Sequence, residues 1–201
     1  YKKIAHNIII LYLISSSVVM VFLTLGPSID IYTSSLFYFG KNQFFLQSYY
    51  AFTIFFRQII IPLILIYLLV LPVVGLIIPL NKIYFNYKFV KKDIYYLWFS
   101  VLFVLLVFVN FFLKNFWGRA RPGDIIELDG EDFFTPWYRI SENCLTNCSF
   151  VSGDASVGFS LISLYFITKN KLYCWASLVF GFSLGLVRIM EGGHFISDII
   201  M

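Results

Sequence analysis

The sequence predicts an all-α integral membrane protein: a bundle of six transmembrane helices, the sixth cut short at Met201. Three observations carry that prediction. First, of its 201 residues 60% are hydrophobic, 21% aromatic and only 13% charged, far from the balance of a soluble domain. Second, the uncharged runs are long, with 18 residues over Ile8–Leu25, 24 over Gln58–Asn81, 20 over Ile94–Leu113 and 16 over Leu172–Val187. A helix crosses the hydrocarbon core in about 20 residues, so each run spans or nearly spans. Third, a further apolar run opens at Ile196, just before the chain stops. With no internal repeat and no low-complexity tract, one membrane-embedded domain over residues 1–201 is the economical reading.

Taken in order, Lys2 and Lys3 precede span one, about residues 7–25, which Gly26-Pro27 ends. It lacks the small-residue cleavage site of a signal peptide. Residues 26–52 form a non-spanning stretch whose Phe and Tyr suit the membrane interface. Asn42 to Leu80 is too long for one straight crossing, so a short interfacial helix is expected before span two, about 54–80. Pro62, Pro72 and Pro79 predict kinks there. A Lys-rich loop, 81–96, leads to span three, about 95–115, and a long polar segment, 117–150, follows. Span four is about 152–168, Lys169-Asn170-Lys171 turns the chain, and span five is about 172–189.

Sidedness follows from the basic residues. With six spans, the N-terminus, the 81–96 loop and the 169–171 turn share one side and hold eight Lys, against seven basic residues opposite. Setting aside Lys114, Arg121 and Arg188, which belong to the constellation below, the ratio is eight to four, and the Lys-rich side reads as cytoplasmic. The 117–150 segment then faces outward. Cys144 and Cys148 lie in it, able to bridge in an oxidising compartment or to stand as two free thiols. Cys174 reads as packing, and no metal site is expected, since no second ligand pair accompanies the two cysteines.

Three clusters fall on the outward face. Lys114-Asn115-Phe116-Trp117-Gly118-Arg119-Ala120-Arg121-Pro122 leaves span three; alone, its cations are also what snorkelling residues at a helix end look like. Ser149-Phe150-Val151-Ser152-Gly153-Asp154 enters span four. Ser152 and Gly153 stand where a helix starts, an anion cradle of free N–H groups or an ordinary N-cap. Arg188, then Gly192-Gly193-His194, then Asp198 close the set. His194 and Asp198 are four apart, so a helix would present both on one face, as an oriented nucleophile with a carboxylate behind it. Lys114, Arg121 and Arg188 supply three cations for the oxygens of a phosphoryl group, at a depth where charge is costly and tends to be functional.

Lys114, six residues, Arg121-Pro122; Ser152-Gly153; Arg188, five residues, His194, three residues, Asp198: this order and spacing resembles the three-part signature of the type 2 phosphatidic acid phosphatase superfamily, the membrane lipid phosphatases related to vanadium haloperoxidases. The resemblance covers residues 114–198 and implies that six-helix fold and a metal-independent phosphomonoesterase with no cofactor, working through a phosphohistidine. It implies His194 as nucleophile, Asp198 as its orienting partner, and Lys114, Arg121, Ser152, Gly153 and Arg188 as phosphate ligands. Two positions depart from the usual pattern: Asp154 stands where the family has His, its general acid, and Val187 where it has Ser. Either Asp154 is a desolvated acid, or the leaving group needs little protonation, or the chain is impaired.

The run Ser149–Ser156 and the run Gly118–Pro122 are most similar to bacterial lipid A phosphatases of Gram-negative inner membranes. The resemblance therefore implies hydrolysis of an outward-facing lipid A phosphate, the 4′ favoured and the 1-phosphate possible, at a periplasmic active site. The alternatives are an undecaprenyl pyrophosphate phosphatase, a lipid phosphotransferase, or a non-catalytic phospholipid-binding or transport protein. The partners expected are the phosphorylated lipid and the bilayer, with no nucleic acid and no obligate protein. The acidic residues of 123–142, with Trp137 and Tyr138, are either a contact for a sugar head group or a solvated surface.

Overall fold

The computed structural model describes residues 2–25, 27–41, 43–78, 81–84 and 86–201. Gly26 of the expected first break, Asn42, and the expected end of span two at Pro79 and Leu80 lie outside them. The regular structure among the described residues is helical, with only isolated bridges, Tyr38 to Phe44 and Ile125 to Asp132, in place of strands.

The helices in order are α1 (Lys2–Leu25), α2 (Ser28–Ser35), α3 (Tyr50–Val74), α4 (Lys91–Phe116), α5 (Gly153–Thr168), α6 (Leu172–Met190) and α7 (Ser197–Ile200). Three of them, α3, α4 and α6, are long and apolar enough to cross a bilayer. The expected count of six spans is not reached among the described residues. α5 is apolar but shorter, as is Tyr12–Val21 within α1, and where a sixth span is expected only the four-residue α7 is described. The interfacial helix expected before span two is a single 3₁₀ turn, Phe45–Ser48. α2 lies in the stretch read as merely non-spanning.

Local chemistry sets the ends of these helices. α4 begins where Asp93 at its third position accepts the N–H of extended Val90 at 3.0 Å. Asn170, in the tight turn after α5, accepts the first N–H of α6 at 3.0 Å. Pro62 and Pro72 each follow a π-helical stretch, Phe55–Ile60 and Ile66–Val70. The wider turn takes up the missing N–H and the ring's clash with the preceding carbonyl, so the expected distortion is local widening. Ile64 and Leu68 of α3 meet Leu97 and Val101 of α4, Leu164 of α5 and Leu184 of α6 in one buried cluster. α5 and α6 approach through Gly158 and Gly181; a Cβ on Gly158 would lie 2.5 Å from the Gly181 nitrogen.

The 117–150 segment packs back on the bundle. Cys144 and Cys148 form a disulfide with Cα atoms 5.6 Å apart, which decides between the two readings of that pair. Trp137 is buried, its ring 6.3 Å from that of Phe150, which stacks on Trp117 at 4.7 Å. Its ring packs against this aromatic cluster.

Candidate active site

One end of the bundle collects the eight candidate site residues. Lys114 stands in the last turn of α4, Arg121 in the loop after it, Ser152 and Gly153 at the start of α5, Arg188 in the last turn of α6, and Asp198 in α7. Short contacts tie these segments together. A Cβ placed on Gly153 would be 3.5 Å from Lys114 Nζ, so the ammonium lies beside the α5 terminus. Arg121 donates to the Asn147 carbonyl at 2.7 Å, and the Gly123 N–H donates to the Gly192 carbonyl at 3.1 Å. The Ser152 N–H donates to the Asp198 carbonyl at 2.8 Å, locking α5 to α7.

Ser152 also caps α5, its hydroxyl accepting from the Ala155 N–H at 3.4 Å. The N-cap reading holds: the hydroxyl and amide of Ser152 are occupied by structure, while the first N–H groups of α5, at Gly153 and Asp154, have no acceptor within the helix. Asp154 Oδ2 lies 3.2 Å from Arg57 Nε of α3 and 3.6 Å from Arg188 Nε, so it bridges two cations.

The turn that delivers His194 is a Schellman motif. Gly192 takes φ 70°, its N–H donates to the Ile189 carbonyl at 2.9 Å, and the Gly193 N–H donates to the Arg188 carbonyl at 2.9 Å. Any side chain at Gly193 would collide with the Arg188 guanidinium. The expectation that one helix carries both His194 and Asp198 is corrected here: α7 begins only at Ser197. The pair meets because Asp198, near the start of α7, reaches back, its Oδ2 accepting the Phe195 N–H at 2.8 Å. That oxygen is 3.6 Å from His194 Nδ1, which has no hydrogen bond. A shift of a few tenths of an ångström would make one. With Nδ1 turned to the carboxylate, Nε2 is the atom left for chemistry.

Behind the pair stands a buried cluster that the sequence did not reveal. Arg119, fully buried, donates through Nη1 to Asp198 Oδ1 and, at 2.8 Å, to the Ser197 hydroxyl. Its Nη2 donates to Asp30 Oδ2 at 2.7 Å and its Nε to the Thr135 carbonyl at 2.8 Å. Asp30, from α2, in turn accepts the Ser197 N–H at 3.0 Å and hydroxyl at 2.7 Å, and the Ser149 hydroxyl donates to Asp198 Oδ2. The guanidinium lies 4.3 Å from the centre of the Phe195 ring. One visible signal was a lone acid, Asp30, beside an apolar span, a charge that demands a buried partner.

His194 is buried, and that burial pushes its pKa below 6.5. Asp198 opposes the shift, and Arg188 and Lys114 add to it. The imidazole is therefore kept neutral, the form in which it is nucleophilic.

This geometry, with cations, a helix start and an imidazole–carboxylate pair converging, can be set beside known proteins. The PAP2 superfamily model matches residues 95–201, which contain all eight residues singled out in the sequence. The chain belongs to the PAP2 superfamily. Among PAP2 relatives, the lipid A 4′-phosphatase of Francisella tularensis subsp. novicida is 32% identical over 198 residues, covering 96% of this chain and 87% of that one. The lipid A 4′-phosphatase of Rhizobium leguminosarum is 33% identical over 99 residues, 48% of this chain and 42% of that one. That of Rhizobium etli is 33% identical over 99 residues, 48% of this chain and 38% of that one. No solved structure gives a significant match.

Proposed function

We propose that this PAP2 protein is an integral membrane lipid phosphatase that hydrolyses the 4′-phosphate of lipid A through a phosphohistidine, without a metal. The observation that carries the reading is the placement of His194, with Asp198 behind its Nδ1, among Lys114, Arg121 and Arg188. Likeness to the Francisella enzyme along nearly the whole chain supports the substrate. In the first step His194 Nε2 attacks phosphorus, the P–O bond to the sugar breaks, and the leaving oxygen takes a proton. Lys114, Arg121, Arg188 and the amides at Gly153 hold the phosphoryl oxygens, while Ser152 fixes the α5 terminus. In the second step water attacks the phosphohistidine and inorganic phosphate leaves. Asp154 is the group nearest to the role of proton carrier for the leaving oxygen. Its pairing with Arg57 and Arg188 also suits a leaving group that needs little protonation, which keeps a polyprenyl pyrophosphate as the second reading.

The pocket is read as periplasmic and the bilayer as the inner membrane. Of the four basic residues left on the outward side of the charge tally, Arg119 and Arg57 are taken by ion pairs. That leaves Lys41 and Arg139, so the contrast becomes eight to two.

The test is phosphate release from detergent-dispersed lipid A, with the dephosphorylated position read by mass spectrometry. Wild type removes the 4′-phosphate, and His194→Ala lowers turnover by roughly a thousandfold or more. Equal turnover by the two proteins overturns the reading; loss of the 1-phosphate alone overturns the regiochemistry.

A further inference from the structure

Beside the cations lies an open cleft of 440 Å³, whose walls include Thr53 and Arg57 of α3 as well as Arg121, Arg188, Asp124 and Glu191. That is the size range of ligand sites, and far more room than a phosphate fills. Two of its polar atoms are buried without a hydrogen-bond partner: Thr53 Oγ1 and Glu191 Oε1. The Glu191 side chain is 9% exposed, and its other oxygen is held by Arg188. A buried polar atom left unpaired costs about 1–3 kcal/mol, so two in one cleft mark where a ligand's own donors and acceptors go.

The charges say what kind of ligand. Of the three guanidiniums on the walls, Arg188 is matched by Glu191 and Asp154, and Arg57 by Asp154. With Lys114 beside them, four cations face Asp154 and Glu191, an excess that serves one phosphoryl group. Asp124 and the unpaired Glu191 oxygen would repel a second phosphate and attract hydroxyl or amide N–H donors.

We infer that this cleft is the subsite for the phosphorylated sugar ring, with Glu191 Oε1 accepting from a ring hydroxyl or amide and the Thr53 hydroxyl pairing with a second ring group. Thr53 of α3 is thus a specificity-determining residue from outside the region matched by the superfamily. The inference rests on the phosphatase reading and sharpens it: the enzyme selects a hydroxyl-bearing ring over a glycerol backbone or a diphosphate chain.

The experiment measures kcat/KM for lipid A and for phosphatidic acid with wild type, Thr53→Val and Glu191→Gln. Valine keeps the shape of threonine and suits an apolar helix. Wild type prefers lipid A, and each substitution lowers the ratio of the two kcat/KM values by roughly tenfold, the worth of one such hydrogen bond. A ratio left unchanged by both variants, or a wild type that prefers phosphatidic acid, overturns the subsite while leaving the phosphatase standing. A wild type that releases phosphate from neither lipid overturns the phosphatase reading itself.

Discussion

In the proposed mechanism His194 works only as a neutral imidazole, and its surroundings favour that form. Burial is the largest influence, and it disfavours the cation; Arg188 and Lys114 act the same way, and Asp198 works against them. The sign is fixed by the direction of the shift. With a folded-state pKa below 6.5, the proposed nucleophile survives mild acid and is lost only as pH falls further. The acid limb of kcat/KM, corrected for the titration of the phosphate itself, has its midpoint below pH 6.5; a midpoint above 6.5 contradicts the burial argument.

Arg119 is the other residue on which the site depends. It sits between two carboxylates, Asp30 and Asp198, with no exposure to solvent. Arg119→Met, close in volume, strands both charges and lowers stability by about 3–5 kcal/mol in chemical denaturation. The double variant Arg119→Met, Asp30→Asn recovers part of that loss, since one stranded charge is gone. A single variant as stable as wild type contradicts the role given to this cluster.

At the scale of elements, α5 and α6 hold the two halves of the site at a fixed separation. Their contact at Gly158 and Gly181 leaves no room for a side chain. Gly158→Leu forces the helices apart, and detergent-solubilised protein loses both thermal stability and phosphate release; retention of both shows that the crossing is not needed. The loop after α4 is held in turn by the Cys144–Cys148 disulfide, which closes a small ring around Asn147. The Asn147 carbonyl accepts from Arg121, and its side chain lies 3.5 Å from Lys114 Nζ. Cys144→Ser with Cys148→Ser therefore raises KM more than it lowers kcat, because it loosens the two groups proposed to bind phosphate in ground and transition states alike.

The elements also separate what spacing along the chain encodes from what only packing creates. The spans at 91–116 and 172–190 were legible because uncharged runs near 20 residues match the thickness of a bilayer and are rare in soluble helices. The Gly192-Gly193 break was legible as a break, but its Schellman geometry depends on backbone angles that no spacing encodes. His194 and Asp198 were legible as partners for the wrong reason, since four-residue spacing suggests a shared helix face, whereas Asp198 folds back onto the turn. Arg119 and Asp30 were hidden because they are 89 residues apart and meet only through tertiary packing. Arg119 also stands in a run whose other cations invited a tally of loop charges.

For the whole molecule, the Lys-rich loops and the candidate site occupy opposite ends of the helices. With Cys174, the free cysteine among the described residues, replaced by Ser, a membrane-impermeant maleimide labels Glu131→Cys in spheroplasts, and it labels Lys171→Cys only after permeabilisation. The reverse pattern turns the molecule over and places the pocket in the cytoplasm. The orientation matters for the proposed chemistry, in which the head group reaches Lys114, Arg121 and Arg188 from the leaflet that carries it.

The chemistry itself is most directly tested by trapping the enzyme during turnover. Quenching the detergent-solubilised protein in alkali after mixing with lipid carrying labelled phosphate, followed by peptide mass spectrometry, yields an acid-labile phosphoryl group on His194, absent from His194→Ala. Label on another residue, or label that persists in His194→Ala, contradicts nucleophilic attack by this histidine.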